Sequence, residues 1–160
     1  MAVKKAQAKQ EVQVVGFYIG ADEYAINIAH VREIGGMMEI RKVPRTPKFV
    51  EGVINLRGRI IPVIDLRKRF DIQSSVETPQ AKILIVEFGK SLLGMIVDNV
   101  SEVFRLSGDQ LEDTPDLFSA SIDSQYISAV GKLENRIIIL LDVKKLLSFD
   151  EQNQLAGLKA

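Results

Sequence analysis

The residue types most used in enzyme and metal sites are scarce in this chain. Among 160 residues there is one histidine, His30, and no cysteine, so a His/Cys metal cluster cannot be assembled. A catalytic triad would need His30 as its base, but no Gly-x-Ser-x-Gly nucleophile elbow exists. Glycine-rich phosphate loops are also missing from the sequence. The sequence predicts a non-catalytic protein with no metal or cofactor, in which His30 is a partly exposed turn residue.

Arg57 is the charged side chain whose position favours recognition of a partner. It lies in the string Asn-Leu-Arg-Gly between two apolar runs, 52–56 and 59–64, and so at the tip of a predicted β-hairpin. A later hairpin of similar sequence carries Glu134 at this position. Because the fold does not require arginine there, contact with a partner is one explanation. A solvated surface charge without a role is the other.

Two aspartates occupy equivalent positions at the ends of apolar strands. Asp65 and Asp142 each follow such a strand and precede a basic helical turn. A carboxylate at this point accepts hydrogen bonds from free backbone N–H groups and opposes the helix dipole. We therefore predict that both aspartates cap helices and take no part in catalysis.

The elements that carry these residues occur twice along the chain. The string RIIPVIDLRKRF, from Arg59, recurs 77 residues later as RIIILLDVKKLL, from Arg136. Further upstream, the segment that begins at Val15 aligns with the segment that begins at Leu84, and the alignment matches Gly20 with Gly89. Two ordered matches of this kind indicate a duplicated unit.

Each unit shows mainly the two-residue periodicity of β-strands. The first unit is predicted to contain a hairpin at 15–28, a helical turn near Val31, a third strand from Met38 to Val43, and the hairpin of Arg57 followed by a short helix. The short connections favour small closed sheets over a helix-covered parallel sheet. The prediction is an all-β fold with short helices, made of two SH3-like five-stranded barrels.

The chain length fits one domain of two small lobes. Residues 1–11 are predicted to be a flexible tail and 12–150 a single domain, with lobes at about 12–72 and 80–148. Residues 151–160 are predicted to form a tail or a short helix.

Charge and composition restrict the class of partner. Lys plus Arg and Asp plus Glu each total 21, so the formal net charge is zero and offers little electrostatic attraction for nucleic acid. No apolar run approaches the length of a membrane-spanning helix, and no signal-peptide pattern follows the basic N-terminus. Together with the absence of cysteine, these features predict a cytoplasmic protein without membrane insertion.

The combined strings resemble the CheW family, the coupling proteins of bacterial chemotaxis. The resemblance extends from about Val12 to Leu147 and is most specific in GVINLRGRIIPVIDL. It implies two SH3-like barrels and a non-catalytic adaptor that docks on the C-terminal regulatory domain of the histidine kinase CheA and on the cytoplasmic tip of a methyl-accepting chemoreceptor. Such an adaptor is expected to be a monomer alone and to work within a larger array.

The resemblance also suggests which residues meet each partner. An apolar groove between the barrels is hypothesised to hold the receptor tip, with charged residues beside it. Contact with the kinase is assigned to loops and strand ends of the first barrel. The predicted receptor-binding residues are Val31, Glu33, Ile34, Arg57, Val97 and Val100. The predicted kinase-binding residues are Met38, Glu39, Arg41 and Gly52.

Three other functions remain open at this point. The adaptor could serve a motility or signalling pathway other than flagellar chemotaxis. An SH3-like nucleic-acid-binding module is disfavoured by the neutral charge and the aromatic content of 6%. A small enzyme would need a carboxylate pair of perturbed acidity, and the sequence does not single one out.

Overall fold

The structure is a computed structural model that describes residues 11–72, 80–112 and 124–157. These residues form strands β1 to β11, helices α1 and α2, and short 3-10 turns. The first five strands are β1 (Glu11–Ile19), β2 (Asp22–Asn27), β3 (Val31–Gly36), β4 (Val50–Leu56) and β5 (Arg59–Asp65). The others are β6 (Lys82–Phe88), β7 (Ser91–Val97), β8 (Asn99–Ser107), β9 (Leu111–Glu112), β10 (Ile127–Leu133) and β11 (Arg136–Leu141). The helices are α1 (Leu66–Arg69) and α2 (Phe149–Ala156), and the 3-10 turns are Ile28–His30, Gly108–Gln110, Ser124–Tyr126 and Val143–Lys145.

The strands form two curled sheets, which confirms the predicted β-rich class. One sheet has the order β8-β1-β2-β11-β10-β9 and the other the order β3-β6-β7-β5-β4. Neighbouring strands are antiparallel except for one parallel pair in each sheet, β2 with β11 and β5 with β7. The two sheets share one arrangement of strands. In one sheet the β1–β2 hairpin lies between β8 and the β10–β11 hairpin, and in the other the β6–β7 hairpin lies between β3 and the β4–β5 hairpin.

The duplicated units exchange strands, so the predicted lobe boundaries are wrong. In the alignment of the two units, β1, β2 and β3 correspond to β6, β7 and β8, and the β4–β5 hairpin corresponds to β10–β11. Each sheet combines the first hairpin of one unit with the third strand and second hairpin of the other. The segments 12–72 and 80–148 therefore do not coincide with the sheets, since each segment contributes strands to both.

Three hydrophobic clusters explain why the sequences of the central strands are continuous apolar runs. Ile61 and Val63 of β5 lie in a cluster that belongs to the five-stranded sheet alone, whereas Ile64 lies in the largest cluster, which takes residues from both sheets. Alternating side chains of β11 divide in the same way, with Ile138 inside the six-stranded sheet and Ile139 in the shared core. A strand buried on both faces needs apolar residues at every position.

Several local predictions are confirmed and two are wrong. Asp65 and Asp142 accept hydrogen bonds from backbone N–H groups two residues later, as predicted for helix caps. The segment from Val31 is a strand, not a helical turn, because it pairs with β6. Residues 38–43 form no strand and pair with β4 only through the backbone of Arg41 and Val53.

Helix α2 is fixed to the rest of the fold at its first turn. Ser148 and Glu151 form a capping box, in which each side chain accepts a hydrogen bond from the other residue's backbone N–H. Both Glu151 oxygens also accept from the guanidinium of Arg69 at 2.8 Å. Burial alone would raise the pKa of Glu151, but the hydrogen bonds from Ser148 and Arg69 lower it overall.

Candidate docking surface

The hairpin tip that carries Arg57 is a two-residue turn. Leu56 pairs with Arg59 at the ends of the strands, and both turn residues have positive φ angles, 53° for Arg57 and 87° for Gly58. This conformation matches the right-handed twist of a hairpin and suits Gly58, but it is uncommon for arginine. The amide of Gly58 donates to Asn55 Oδ1 at 2.8 Å and helps to hold the turn. The predicted hairpin is confirmed.

Arg57 meets Glu33 on β3. The Nη2 atom of Arg57 lies 3.0 Å from Glu33 Oε1, while the two side chains are 72% and 31% exposed. The structure thus brings together two of the predicted receptor-binding residues from distant parts of the chain. An ion pair this exposed contributes about 0–1 kcal/mol to stability. Its charges therefore remain accessible to a partner.

The four apolar residues of the predicted groove differ in accessibility. Ile34 is 42% exposed and follows Glu33 on β3, so its side chain points to the opposite face of the strand. Val31 and Val100 are partly buried and pack against the shared core. Val97 is 1% exposed and belongs to that core, so it cannot contact a docked partner in this conformation. The structure therefore gives Val97 a place in the shared core.

Three of the four predicted kinase-binding residues lie together. Met38, Glu39 and Arg41 line a cleft of about 470 Å³ against the β4–β5 hairpin, which contributes Ile54 and the exposed Ile60. Met38 packs on the core of the five-stranded sheet with part of its surface accessible. The cleft therefore offers an apolar wall beside one acidic and one basic side chain.

Gly52, the fourth of these residues, is buried and has a backbone role. Its φ angle is 145°, and a Cβ at this position would overlap the carbonyl oxygen of Arg41. The close approach lets Arg41 and Val53 exchange two backbone hydrogen bonds of 2.9 Å. Gly52 thus shapes the cleft from within and does not itself form a contact surface.

Several exposed apolar side chains were not predicted from the sequence. Ile60 is exposed next to the predicted residues, and its counterpart in the second unit, Ile137, is 55% exposed. Ile34 likewise has an exposed counterpart, Val103. The alignment of the two units could have identified these exposed residues, because both units have an apolar residue at a strand position where the alternating pattern predicts a polar one.

The second unit preserves the acidic position but pairs it with a different arginine. Glu102, the counterpart of Glu33, accepts from Arg136 Nη1 at 3.2 Å. Arg136 also donates to both oxygens of the buried Glu23, and these hydrogen bonds raise its pKa. The tip residue Glu134, which replaces Arg57, has a positive φ of 41°. The two units therefore share the hairpin geometry and differ in the charge at its tip.

The described residues contain no group of three or more His, Cys, Asp or Glu side chains that could hold a metal ion. His30 ends the 3-10 turn that precedes β3 and is partly buried. Within the same part of the chain, no helix combines the length and apolar composition needed to cross a bilayer.

Comparison with known proteins identifies the family. The family model described as the CheW-like domain matches residues 13–151. The chain belongs to the CheW-like family. It is 38% identical over 135 residues to the chemotaxis protein CheW of Klebsiella aerogenes, a match that covers 84% of this chain and 81% of that protein. It is 35% identical over 145 residues to the chemotaxis protein CheW of Thermotoga maritima, with coverages of 89% and 91%.

A solved CheW structure has the same fold. The crystal structure of the scaffolding protein TtCheW from Thermoanaerobacter tengcongensis superposes with a TM-score of 0.82 and 34% sequence identity, over 89% of this chain and 96% of that one. The CheW-like match includes every strand from β2 to β11 and therefore both sheets. The predicted membership of the CheW family is thereby confirmed.

Proposed function

We propose that this CheW-like chain is a non-catalytic adaptor that couples a CheA-type histidine kinase to the cytoplasmic tips of methyl-accepting chemoreceptors. It acts in the cytoplasm as a monomer that joins a larger array. The observation that carries the proposal is the exposed Arg57–Glu33 ion pair on the strand that also exposes Ile34 on its other face. A surface of this kind gains little folding stability from its charges, and it suits recognition of another protein.

The receptor is proposed to dock at β3. An amphipathic helix binds through a few apolar anchors, with neighbouring charges that set its orientation. Ile34 supplies an exposed apolar contact, and Val31 and Val100 supply partly accessible ones. The ion pair of Glu33 with Arg57 adds one charge of each sign at the same strand.

The kinase is proposed to dock at the cleft of Met38, Glu39 and Arg41. This cleft borders the outer strand β4, whose free edge pairs only with Arg41 in the described residues. A partner barrel can place an apolar loop against Met38 and Ile60. Each contact is expected to have about micromolar affinity, near −8 kcal/mol, and several weak contacts within an array multiply in effect.

A capture experiment in extract of the source cell tests the proposal. The wild-type chain on a resin is expected to retain both a CheA-type kinase and a chemoreceptor. Arg57→Glu is expected to lose the receptor, whereas Arg45→Glu should retain it, because Arg45 is another exposed arginine with positive φ, 64°, and lies outside the proposed surface. Recovery of neither partner by the wild type would overturn the proposal. Recovery of a kinase together with a receptor of another motility system would assign the chain to that pathway instead.

A further inference from the structure

A second cleft, of about 580 Å³, shares Ile60 with the cleft proposed for the kinase but is otherwise lined by residues that the proposed function does not use. Its walls are the start of β5, the turn between β6 and β7, and helix α2. None of the ten residues assigned above to the receptor or the kinase lines it. Its volume lies within the range of about 300–1,000 Å³ typical of ligand sites.

The floor of this cleft is apolar. Ile61, Leu93 and Leu155 are buried beneath it, and Phe88 and Leu92 keep part of their surface accessible. Helix α2 forms a fixed wall, because its first turn is held by the capping box and by the bidentate contact of Arg69 with Glu151. The cleft is therefore built from anchored elements.

Among the described residues that line the cleft, every charged side chain is basic. They are Arg59, Lys90 and Lys144, and each is exposed. In the described part of the chain, none of the three has a carboxylate within 4.0 Å. Other exposed cations do have such partners, for example Arg32 with Glu87 and Lys132 with Glu112. Three unpaired positive charges around one apolar floor are complementary to an anionic, partly apolar occupant.

We propose that this cleft binds an acidic amphipathic segment of a partner protein. Large apolar side chains of the segment fill the floor, while its Asp or Glu side chains meet Arg59, Lys90 and Lys144. Gln152 and Asn153 on α2 add amide groups that can bond the backbone of the segment. A small inorganic anion would leave the apolar floor exposed, so a peptide satisfies both features of the cleft.

Fluorescence anisotropy with a labelled synthetic peptide tests this proposal. The probe has about twelve residues, in which phenylalanine and leucine alternate with glutamate. Saturable binding is expected, and the Lys90→Glu/Lys144→Glu variant should weaken it by about tenfold or more through charge repulsion. The matched control is Lys42→Glu/Lys48→Glu, which makes the same change in net charge at exposed lysines outside the cleft. It should leave the affinity within about twofold of wild type, allowing for weak long-range effects.

Two further probes separate this site from alternatives. A peptide with alanine in place of phenylalanine and leucine should lose most of the binding, and methyl NMR signals of Leu93 and Leu155 should shift with the original probe. Absence of binding to the wild type, equal loss in both lysine variants, or equal binding of the alanine peptide would overturn the proposal. So would binding to phosphatidylserine vesicles without binding to the peptide. These measurements use only the purified chain, so their result is independent of the capture experiment.

Discussion

Arg57 and Glu33 connect the two outer strands of the five-stranded sheet, since Arg57 follows β4 and Glu33 belongs to β3. The 3.0 Å contact between their side chains lies across the gap that closes this sheet into a barrel. Both side chains keep exposed surface, so the ion pair lies at the solvent-accessible rim of the barrel and is not part of a buried core.

Arg57→Glu is expected to remove receptor binding while changing the free energy of unfolding by less than about 1 kcal/mol. Calorimetry and a binding titration with a receptor fragment check the two effects. The double variant Arg57→Glu/Glu33→Arg should regain the small loss of stability but not the binding, because the partner then meets reversed charges. A large drop in the unfolding midpoint of the single variant would instead assign Arg57 a structural role.

Ile34→Asp is expected to weaken receptor binding by about tenfold or more, because a carboxylate would replace an apolar anchor that stands 42% exposed. Ile137→Asp is the control, since Ile137 is also an exposed isoleucine on a strand. Both variants should unfold within about 1 kcal/mol of wild type. Val31 is a poorer probe because it packs on the shared core. Equal binding by the two variants would count against the β3 surface.

Gly52→Ala is expected to destabilise the fold by about 1–3 kcal/mol or more, because a side chain at φ 145° is strained and its Cβ would overlap the carbonyl of Arg41. In a chain of this size, each kcal/mol lowers the unfolding midpoint by roughly 2–4 °C. Gly36→Ala is the matched control, since a Cβ there would meet nothing within 4 Å. If Gly52→Ala were as stable as wild type and lost only kinase binding, Gly52 would be a direct contact residue for the kinase.

The ion pair between Arg67 on α1 and Asp98 after β7 is mostly buried, and Asp98 also accepts the amide N–H of Gly20 at 2.8 Å. Arg67→Met is therefore expected to cost about 3–5 kcal/mol by leaving a buried carboxylate without its cation. Arg32→Met, which breaks the exposed pair with Glu87, should cost no more than about 1 kcal/mol. Urea unfolding measures both, and equal costs would contradict the assigned difference in burial.

Burial raises the pKa of Asp65 more than its hydrogen bond from the Arg67 backbone lowers it. A raised carboxyl pKa means that folding is penalised when Asp65 is ionised, so this penalty is present at neutral pH and disappears as the pH falls below the ordinary aspartate pKa of about 4. Asp65→Asn keeps the cap without the charge and should be at least as stable as wild type at pH 7.

The difference between Asp65→Asn and wild type should shrink as the pH is lowered in a series of thermal melts. Asp65→Ala removes the cap as well and is expected to lose about 1 kcal/mol. If wild type were instead more stable than Asp65→Asn at neutral pH, ionised Asp65 would stabilise the fold and the prediction would be contradicted.

Much of the local structure could be predicted because it depends on neighbouring residues. The hairpin of Arg57 follows from two apolar runs around Arg-Gly, and the caps at Asp65 and Asp142 follow from their place before basic turns. The candidate site was predicted only in part. Glu33, Ile34 and Arg57 are accessible, but Val97 is covered, because an apolar strand residue looks the same in sequence whichever core its face meets.

By itself the sequence determined the duplication, the β-rich class, the hairpins and the family to which the chain belongs. Only the tertiary structure decided that the two units exchange strands, with β3 beside β6 and β8 beside β1. Duplicated strands present equivalent hydrogen-bonding edges and similar apolar faces, so pairing within a unit and pairing between units satisfy the same local pattern. The path of the chain in three dimensions selects between them, and with it which side chains reach the surface.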